Sequence, residues 1–308
     1  MIFIFGPTAT GKTDLVIQLA DRYSLGIISV DAVQVYRGLN IGSAKPVESV
    51  LASYPHALVN IRDPVEQFSA GDFCIEASRE VARIQSSSEI PVLVGGSMFY
   101  FAALINGLGH LPPRNSEIRA TIGNIRARLG TRKLHELLRQ RDPVTASRIH
   151  HNDQQRIERA LEIDLLSDRL AGSSIHMSGQ KRFNTPIIRI GIAFADRSDL
   201  HRRIEHRIAK MLFDGLIDEV KDLLNGGVAP ETSALRSVGY RQICQHLAGE
   251  IDYADMQERM ISATRQLAKR QLTWMRNTPG TVWFDASDQN IVETVSDYIS
   301  QHYDKYYY

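Results

Sequence analysis

The feature that most constrains this chain is a glycine-rich loop at residues 6–13, between a short apolar run and an amphipathic segment. Its sequence, GPTATGKT, fits the pattern G-x-x-x-x-G-K-[ST], in which glycines let successive backbone N–H groups point at phosphate oxygens. We expect a strand at residues 2–5 and a helix at 14–23, whose N-terminus would add positive potential. Lys12 would neutralise a terminal phosphate, and the Thr13 hydroxyl would bind Mg²⁺. The loop predicts a nucleotide-type polyphosphate site, but it specifies no reaction.

Composition excludes several classes of protein. The 308 residues are 43% apolar and 23% charged, which is typical of a soluble globular protein with one large or two modest domains. No run of eighteen apolar residues is present, so we expect no membrane span. Because the first predicted strand begins at residue 2, we expect no targeting peptide. Cys74 and Cys244 lie far apart without metal-ligand spacing, so we expect free thiols in the reducing cytoplasm.

Two further apolar runs end in groups that could act on a ligand. Residues 26–30 lead to Asp31, and residues 91–94 lead to Gly95, Gly96 and Ser97. The carboxyl ends of strands line the ligand crevice of an open α/β sheet, so we expect Asp31 near the phosphate-binding loop. Asp31 could hold Mg²⁺ through water, act as a general base, or only cap its strand. Because the second run ends in glycines rather than an aspartate, the chain lacks the usual equipment of an ATPase.

The pattern changes at residue 111, where a helical, arginine-rich segment begins and continues to residue 186. Its net charge is +6 and that of the remaining chain is −5, although the whole chain carries only +1. We therefore predict an inserted all-helical domain at 111–186, between two segments of an α/β core at 1–110 and 187–308. Arg156 and Arg159 stand three residues apart on one side of a predicted helix. They could hold RNA phosphates, which we favour, or pair with local acids.

The other elements follow from apolar spacing. We expect a loop at 34–46, strands at 56–60, 187–194 and 282–284, a terminal helix, and helices at 70–84, 117–129, 132–140, 153–170, 200–224, 236–247 and 253–276. At 100° per residue, three cations of the 253–276 helix fall within about 40° of one another: Arg265, Lys269 and Arg276. Its opposite side should pack through Leu267, Trp274 and Met275. The cations form either a solvated face or part of an RNA-binding surface.

Taken together, these segments resemble the tRNA dimethylallyltransferases, also called tRNA isopentenyltransferases. The resemblance rests on stretches that occur in the order of that family, at residues 6–13, 28–31, 35–46, 95–100, 152–162, 238–242 and 265–271. It implies a phosphate-loop-type parallel sheet flanked by helices, with a helical insert that embraces the anticodon stem-loop of tRNA. It also implies transfer of a dimethylallyl group from dimethylallyl pyrophosphate to N6 of the adenosine on the 3′ side of the anticodon.

The resemblance also implies roles for individual residues. Asp31 would accept the N6 proton, the Ser97 hydroxyl would contact substrate, and Lys12 and Arg207 would stabilise the leaving group together with Mg²⁺ on Thr13. The pyrophosphate would be held by Gly6, Thr8, Ala9, Thr10, Gly11, Lys12 and Thr13. The tRNA would contact Asp31, Ala32, Val33, Gln34, Ser97, Gln155, Arg156, Arg159, Arg236, Gly239, Tyr240, Arg241, Arg265, Lys269 and Arg276.

Two positions depart from the family pattern. Ala32 replaces the usual serine, which removes a hydrogen-bonding group next to Asp31, and Ser97 replaces the usual threonine but keeps the hydroxyl. No C-terminal cluster of cysteine and histidine is present, so the chain resembles the bacterial form, and we expect a monomer. The alternatives are a small-molecule phosphotransferase that uses the loop for ATP, and an RNA-binding protein without group transfer.

Overall fold

The computed structural model describes residues 1–108, 112, 115–169 and 186–307. Within these residues the chain forms a six-stranded, wholly parallel sheet in the order β3-β2-β4-β1-β5-β6. The strands are β1 Ile2–Phe5, β2 Leu25–Val30, β3 His56–Ala57, β4 Ile90–Gly95, β5 Ile188–Ala193 and β6 Thr281–Asp285. Because β4 pairs with both β1 and β2, the loops that follow these three strands leave the sheet side by side. The sequence-based prediction of a parallel α/β fold is confirmed.

Helices cover both faces of this sheet. They are α1 Lys12–Ala20, α2 Glu48–Ser53, α3 Ala70–Ser86, α4 Met98–Asn106, α8 Arg197–Phe213, α9 Leu216–Asn225, α10 Tyr240–Leu247, α11 Tyr253–Arg276 and α12 Ile291–Tyr307. Because successive side chains of β1 point to opposite faces of the sheet, Ile2 and Ile4 pack in a core shared with α1 and α12. Phe3 and Phe5 point the other way, with ring centroids 5.2 and 5.6 Å from that of Phe101 in α4. No described helix is both long and apolar enough to cross a membrane.

A second compact unit spans residues 106–182, while residues 1–105 and 183–308 form the first. The second unit contains α5 Ser116–Arg141, α6 Pro143–Arg148 and α7 Gln154–Arg169. It has an apolar core of its own, made by Ile118, Ile122, Leu134, Leu138, Ala146, Ile157 and Leu161. The carboxylate of Glu162 is buried beside this core and accepts hydrogen bonds from the Asn115 N–H (2.7 Å) and from two arginines, Arg119 (3.2 Å) and Arg159 (2.8 Å).

Several predicted boundaries were wrong, chiefly at glycines. The predicted helix 200–224 is two helices, because Gly215 has a φ of +98° and separates α8 from α9. The predicted helix 236–247 begins only at Tyr240, after Gly239 with a φ of +95°. The strand predicted at 56–60 has two residues, and α2, α4 and α6 were not predicted. In α5, Gly130 leaves helical geometry between the two predicted helices. The sequence also predicts a glycine- and serine-rich link at 172–174, which lies outside the described residues.

The loop at 34–46 is held by two charged groups, the half-buried Glu219 and the buried Lys45. The Glu219 carboxylate of α9 accepts the backbone N–H groups of Asn40 (2.9 Å), Ile41 (2.7 Å) and Gly42 (3.2 Å), and the Tyr240 hydroxyl (2.7 Å). The buried Lys45 ammonium donates to the carbonyl of Tyr36 at 2.7 Å and to two asparagine side chains. Burial lowers the pKa of Lys45 to about 8. The loop is therefore fixed, although it contains neither helix nor strand.

Glu219→Ala should lower the free energy of unfolding by about 2–4 kcal/mol, because three backbone donors and one hydroxyl lose a charged acceptor. Urea unfolding followed by circular dichroism measures this loss. Asp222→Ala is the matched control, since Asp222 is exposed and lies on the same helix. Equal effects of the two substitutions would contradict the role of Glu219.

Candidate active site at the carboxyl edge of the sheet

The phosphate-binding loop leaves the central strand β1 and enters α1 through two left-handed residues, Ala9 (φ +69°) and Gly11 (φ +76°). A side chain at Gly6 is excluded, because a Cβ there would lie 2.4 Å from the carbonyl oxygen of Ile192 in β5. The Thr10 hydroxyl donates to the Pro7 carbonyl at 2.9 Å and braces the loop internally. The loop thus turns through left-handed backbone into the N-terminus of α1, and phosphate binding by its N–H groups stays a prediction.

Lys12 lies against the loop that carries it. Its ammonium donates to the Pro7 carbonyl at 2.7 Å and approaches the Thr10 hydroxyl at 3.4 Å. Burial, and then the charge of Arg207, lower the pKa of Lys12 to about 7, while Asp31 opposes the shift. An anion in the crevice would compensate for both causes, so the charge of Lys12 is sensitive to ligand binding.

Asp31 follows β2 and is fixed by its own turn. Its Oδ1 accepts the backbone N–H groups of Val33 at 2.8 Å and Gln34 at 3.2 Å. Among the described residues, no protein hydrogen bond reaches its Oδ2. The carboxylate therefore has a fixed direction and one oxygen available to a proton donor.

The end of β4 is joined to the end of β2. The Ser97 N–H donates to the Val30 carbonyl at 3.2 Å, and a Cβ on Gly95 would lie 2.1 Å from that oxygen. This contact brings Ser97 and Asp31 to neighbouring strand ends. Ser97 is half-buried, but it does not line the crevice described next.

A crevice of about 820 Å³ opens between the phosphate-binding loop and α8. Its walls include residues 8–14, Asp31, the glycines at 95 and 96, and five basic residues of α8: Arg202, Arg203, His206, Arg207 and Lys210. Burial lowers the pKa of Arg207, and Asp31 opposes this shift. The Arg203 Nε donates to the Ala9 carbonyl at 3.2 Å. Sequence reasoning singled out Arg207 alone, although the three- and four-residue spacing of these cations is a visible signal for one basic helix face.

Thr13 is the predicted metal ligand. It is half-buried at the start of α1 and lines the crevice. Within the described residues, no group of three histidine, cysteine or acidic side chains could hold a metal ion. The Thr13 hydroxyl offers one oxygen ligand, and Mg²⁺ commonly keeps water and substrate phosphates as its other ligands, so Mg²⁺ binding at Thr13 stays a prediction.

The predicted tRNA-binding residues of the first unit differ in how exposed they are to solvent. Four basic side chains are exposed: Arg236, Arg241, Lys269 and Arg276. Arg265 is partly exposed and forms an ion pair with Glu205, and Ala32 is exposed beside Asp31. Val33 is half-buried, and Gly239 is buried with its N–H donated to the Gln242 Oε1 at 2.9 Å.

Two predictions for side chains of the first unit, those for Tyr240 and Trp274, were wrong, and a tRNA contact by Gln34, which lines the crevice, stays a prediction. Tyr240 is fully buried and donates to Glu219, so its ring presents no surface to RNA. Gln34 is half-buried and bonded within the loop, where it accepts from Ser29 at 2.9 Å and donates to two carbonyls of the loop. Trp274 does not pack inside with Met275; it is 46% exposed and lies edge-on to Phe99, with ring centroids 6.5 Å apart.

The second unit presents Gln155 and Arg156 at its surface. Arg156 pairs with Asp153 at 3.2 Å but keeps most of its side chain exposed. Arg159 pairs with the buried Glu162 and donates to the Pro112 carbonyl at 2.7 Å. The alternative of local acid pairing therefore describes Arg159, whereas Arg156 remains open to a phosphate.

The fold and crevice define an α/β protein with a glycine-rich loop and a basic helix face at the carboxyl edge of its parallel sheet. The profile of the family described as IPP transferase matches residues 34–278. A tRNA dimethylallyltransferase of Coxiella burnetii is 43% identical over 300 residues, which cover 97% of this chain and 96% of the relative. The chain belongs to the tRNA dimethylallyltransferase family.

Solved structures agree with this assignment. The tRNA isopentenylpyrophosphate transferase of Bacillus halodurans is 32% identical, with a TM-score of 0.73 over 99% of this chain and 96% of that protein. A eukaryotic dimethylallyltransferase, solved while acting on tRNA, shares the fold with a TM-score of 0.77 at 24% identity, over 99% of this chain and 79% of that protein. The family match does not support the phosphotransferase alternative.

Binding of inorganic pyrophosphate should raise the pKa of Lys12 from about 7. Above that pH the free lysine is neutral, so binding must take up a proton. The affinity should therefore fall as pH rises from about 7 to 8.5, by at most about tenfold per pH unit. Calorimetric titrations in two buffers of different ionisation enthalpy count the protons.

The Lys12→Met variant is the control, because proton uptake that remains in this variant comes from the titration of pyrophosphate itself. Equal proton uptake by the wild type and by Lys12→Met would contradict the role assigned to Lys12.

Proposed function

We propose that this protein transfers a dimethylallyl group from dimethylallyl pyrophosphate to N6 of the adenosine on the 3′ side of the anticodon in tRNA. Family membership supports the reaction class. The observation that carries the proposal is the position of the Asp31 carboxylate. It lines the same crevice as a phosphate-binding loop and interacts electrostatically with Lys12 and Arg207. One crevice thus joins an acceptor for a proton to a binding site for an anionic leaving group.

The leaving group would lie on the loop. As the bond between the allylic carbon and the pyrophosphate oxygen breaks, negative charge develops on that oxygen. The backbone N–H groups of residues 9–13 and the cations Lys12 and Arg207 would stabilise this charge, whereas the Thr8 N–H is donated to the Gln271 Oε1. Arg203 lines the same wall and would add a further cation. When bound at Thr13, Mg²⁺ would supply additional neutralisation of the pyrophosphate.

Asp31 would act on the incoming nitrogen. The lone pair of an adenine N6 amine is delocalised into the ring, so the amine is a poor nucleophile. Removal of its proton as the carbon–nitrogen bond forms would assist the attack, and Asp31 Oδ2 is the oxygen available for that proton. The Ser97 hydroxyl, at the neighbouring strand end, would contact the substrate. The target base must leave its stack to reach this point.

The basic surfaces would hold the RNA. Exposed cations at Arg236, Arg241, Lys269 and Arg276 in the first unit, and Arg156 in the second, would contact backbone phosphates. We further propose that the protein acts as a monomer in the cytoplasm.

The defining experiment incubates the protein with isotopically labelled dimethylallyl pyrophosphate and bulk tRNA, and then analyses the nucleosides. Label on N6 of the adenosine next to the anticodon supports the proposal. Label transferred from ATP γ-phosphate instead would support the phosphotransferase.

Asp31→Asn should preserve the affinities for both substrates and lower the transfer rate by about 10²–10⁴-fold, the usual contribution of a general base. Asparagine is nearly isosteric and can still accept from the turn, so packing should survive. Single-turnover transfer at saturating tRNA, measured at two Mg²⁺ concentrations, tests this expectation. A rate restored by extra Mg²⁺ would identify Asp31 as a metal ligand, and a loss smaller than about tenfold would remove it from the chemistry.

Lys269→Ala and Arg156→Ala should each weaken tRNA binding and reduce the slope of log affinity against log salt by about one unit. Both side chains are largely exposed, and neither is held by a buried partner. Lys221→Ala is the matched control, because Lys221 is exposed on α9 and pairs only with Asp218. Slopes that stay at the wild-type value in both variants would assign these cations to an ordinary solvated surface.

A further inference from the structure

One polar side chain bridges the two loops of the candidate active site. Gln271 of α11 accepts the backbone N–H of Thr8 at 3.0 Å through its Oε1. Its Nε2 donates to the Gly96 carbonyl at 3.0 Å. Thr8 belongs to the phosphate-binding loop after β1, and Gly96 belongs to the turn after β4. Both ends of the amide are therefore used, one on each loop.

The bridge explains why residue 96 is a glycine. Its φ is not in the left-handed region, so backbone conformation alone does not require glycine here. A Cβ on Gly96 would instead lie 2.5 Å from the Gln271 Nε2, closer than real Cβ atoms approach. The amide thus occupies the space that a side chain at 96 would need, and the close approach depends on both residues.

The bridge lies between the two ends of the proposed reaction site. Thr8 marks the proposed pyrophosphate end of the site, whereas Gly96 immediately precedes Ser97, on the side proposed to contact the acceptor. Gln271 also lines the crevice, while Lys269, two residues earlier on α11, is exposed. One segment of α11 therefore carries both a proposed tRNA contact and the residue that joins the two loops.

We propose that Gln271 is a positioning residue for group transfer, one that holds the phosphate-binding loop and the Gly96–Ser97 turn at a fixed separation. The proposal rests on the proposed function. A carbon and a nitrogen react only when they are held within about 3–3.5 Å, and a displacement of about 1 Å can cost roughly 10²-fold in rate. Gln271 touches loop backbone rather than reacting atoms, so its loss should lower the rate of transfer more than the affinity for either substrate.

The test compares Gln271→Ala and Gln271→Met with the wild type by single-turnover transfer at saturating substrates. Methionine has nearly the same length and fills similar space, but it can form neither hydrogen bond. Both variants should transfer about 10–100-fold more slowly. The dissociation constants of inorganic pyrophosphate and of tRNA should change less than about threefold. Gln266→Ala, an exposed glutamine on the same helix, is the matched control and should transfer at the wild-type rate.

A double-mutant cycle with Gly96→Ala tests the bridge itself. In the presence of Gln271 the added methyl group should displace the amide and slow transfer to a similar extent. In the Gln271→Ala background the space is open, so the same substitution should add little further loss. Losses that multiply across the two sites would contradict the shared contact.

Other outcomes overturn the proposal in distinguishable ways. A wild-type rate in Gln271→Met would show that Gln271 only fills space. An unchanged rate with weaker pyrophosphate binding would make it a ground-state contact to the donor. A wild-type protein that transfers no label to tRNA would remove the proposed function and this role together, whereas a working wild type with unaffected variants would remove this role alone.

Discussion

The parallel pairing of β4 with both β1 and β2 is the constraint on which the site depends. Parallel neighbours end at the same edge, so the phosphate-binding loop, the turn at Gly96 and the Asp31 carboxylate emerge together. The pairing also makes glycine necessary at Gly95, where no side chain fits against the β2 carbonyl. Residues far apart in the chain thus become adjacent through backbone hydrogen bonds, before any side chain contributes.

The charges at this edge of the sheet determine which ligands it favours. Lys12, Arg203 and Arg207 share one crevice with the carboxylates of Asp14 and Asp31, and burial acts against the charges of Lys12 and Arg207. An empty crevice therefore holds positive charge in an unfavourable environment, which an anionic ligand relieves. Ligand binding therefore also neutralises such a site, because the ligand supplies the negative charge that the protein lacks.

The parts of the site that the sequence predicted are local. The phosphate-binding loop and Asp31 at the end of its strand follow from spacing within about twenty residues, whereas of the basic side chains of α8 only Arg207 was named, from the resemblance. Glu219 and Gln271 could not be found in this way, because the backbone groups that they bind lie 175–263 residues away. The break at Gly215 was missed because the apolar period continues across it. Trp274 was misassigned because a helical wheel gives the direction of a side chain but does not show whether another element packs against it. The net charge of the insert likewise does not show that Arg159 is paired with Glu162.

The placement of β5 has a consequence for how the protein is made. Ile2 pairs with Ile188, and the loop glycine at position 6 meets the carbonyl of Ile192, so β1 gains its second neighbour only after nearly two hundred residues have been synthesised. At cellular rates of elongation this takes on the order of ten to forty seconds. Until then the nascent chain carries a central strand with one open edge, and the ligand cradle lacks one wall. Strand pairing over such a separation is slow. We therefore expect the phosphate-binding loop to be completed late in folding, although it is synthesised first.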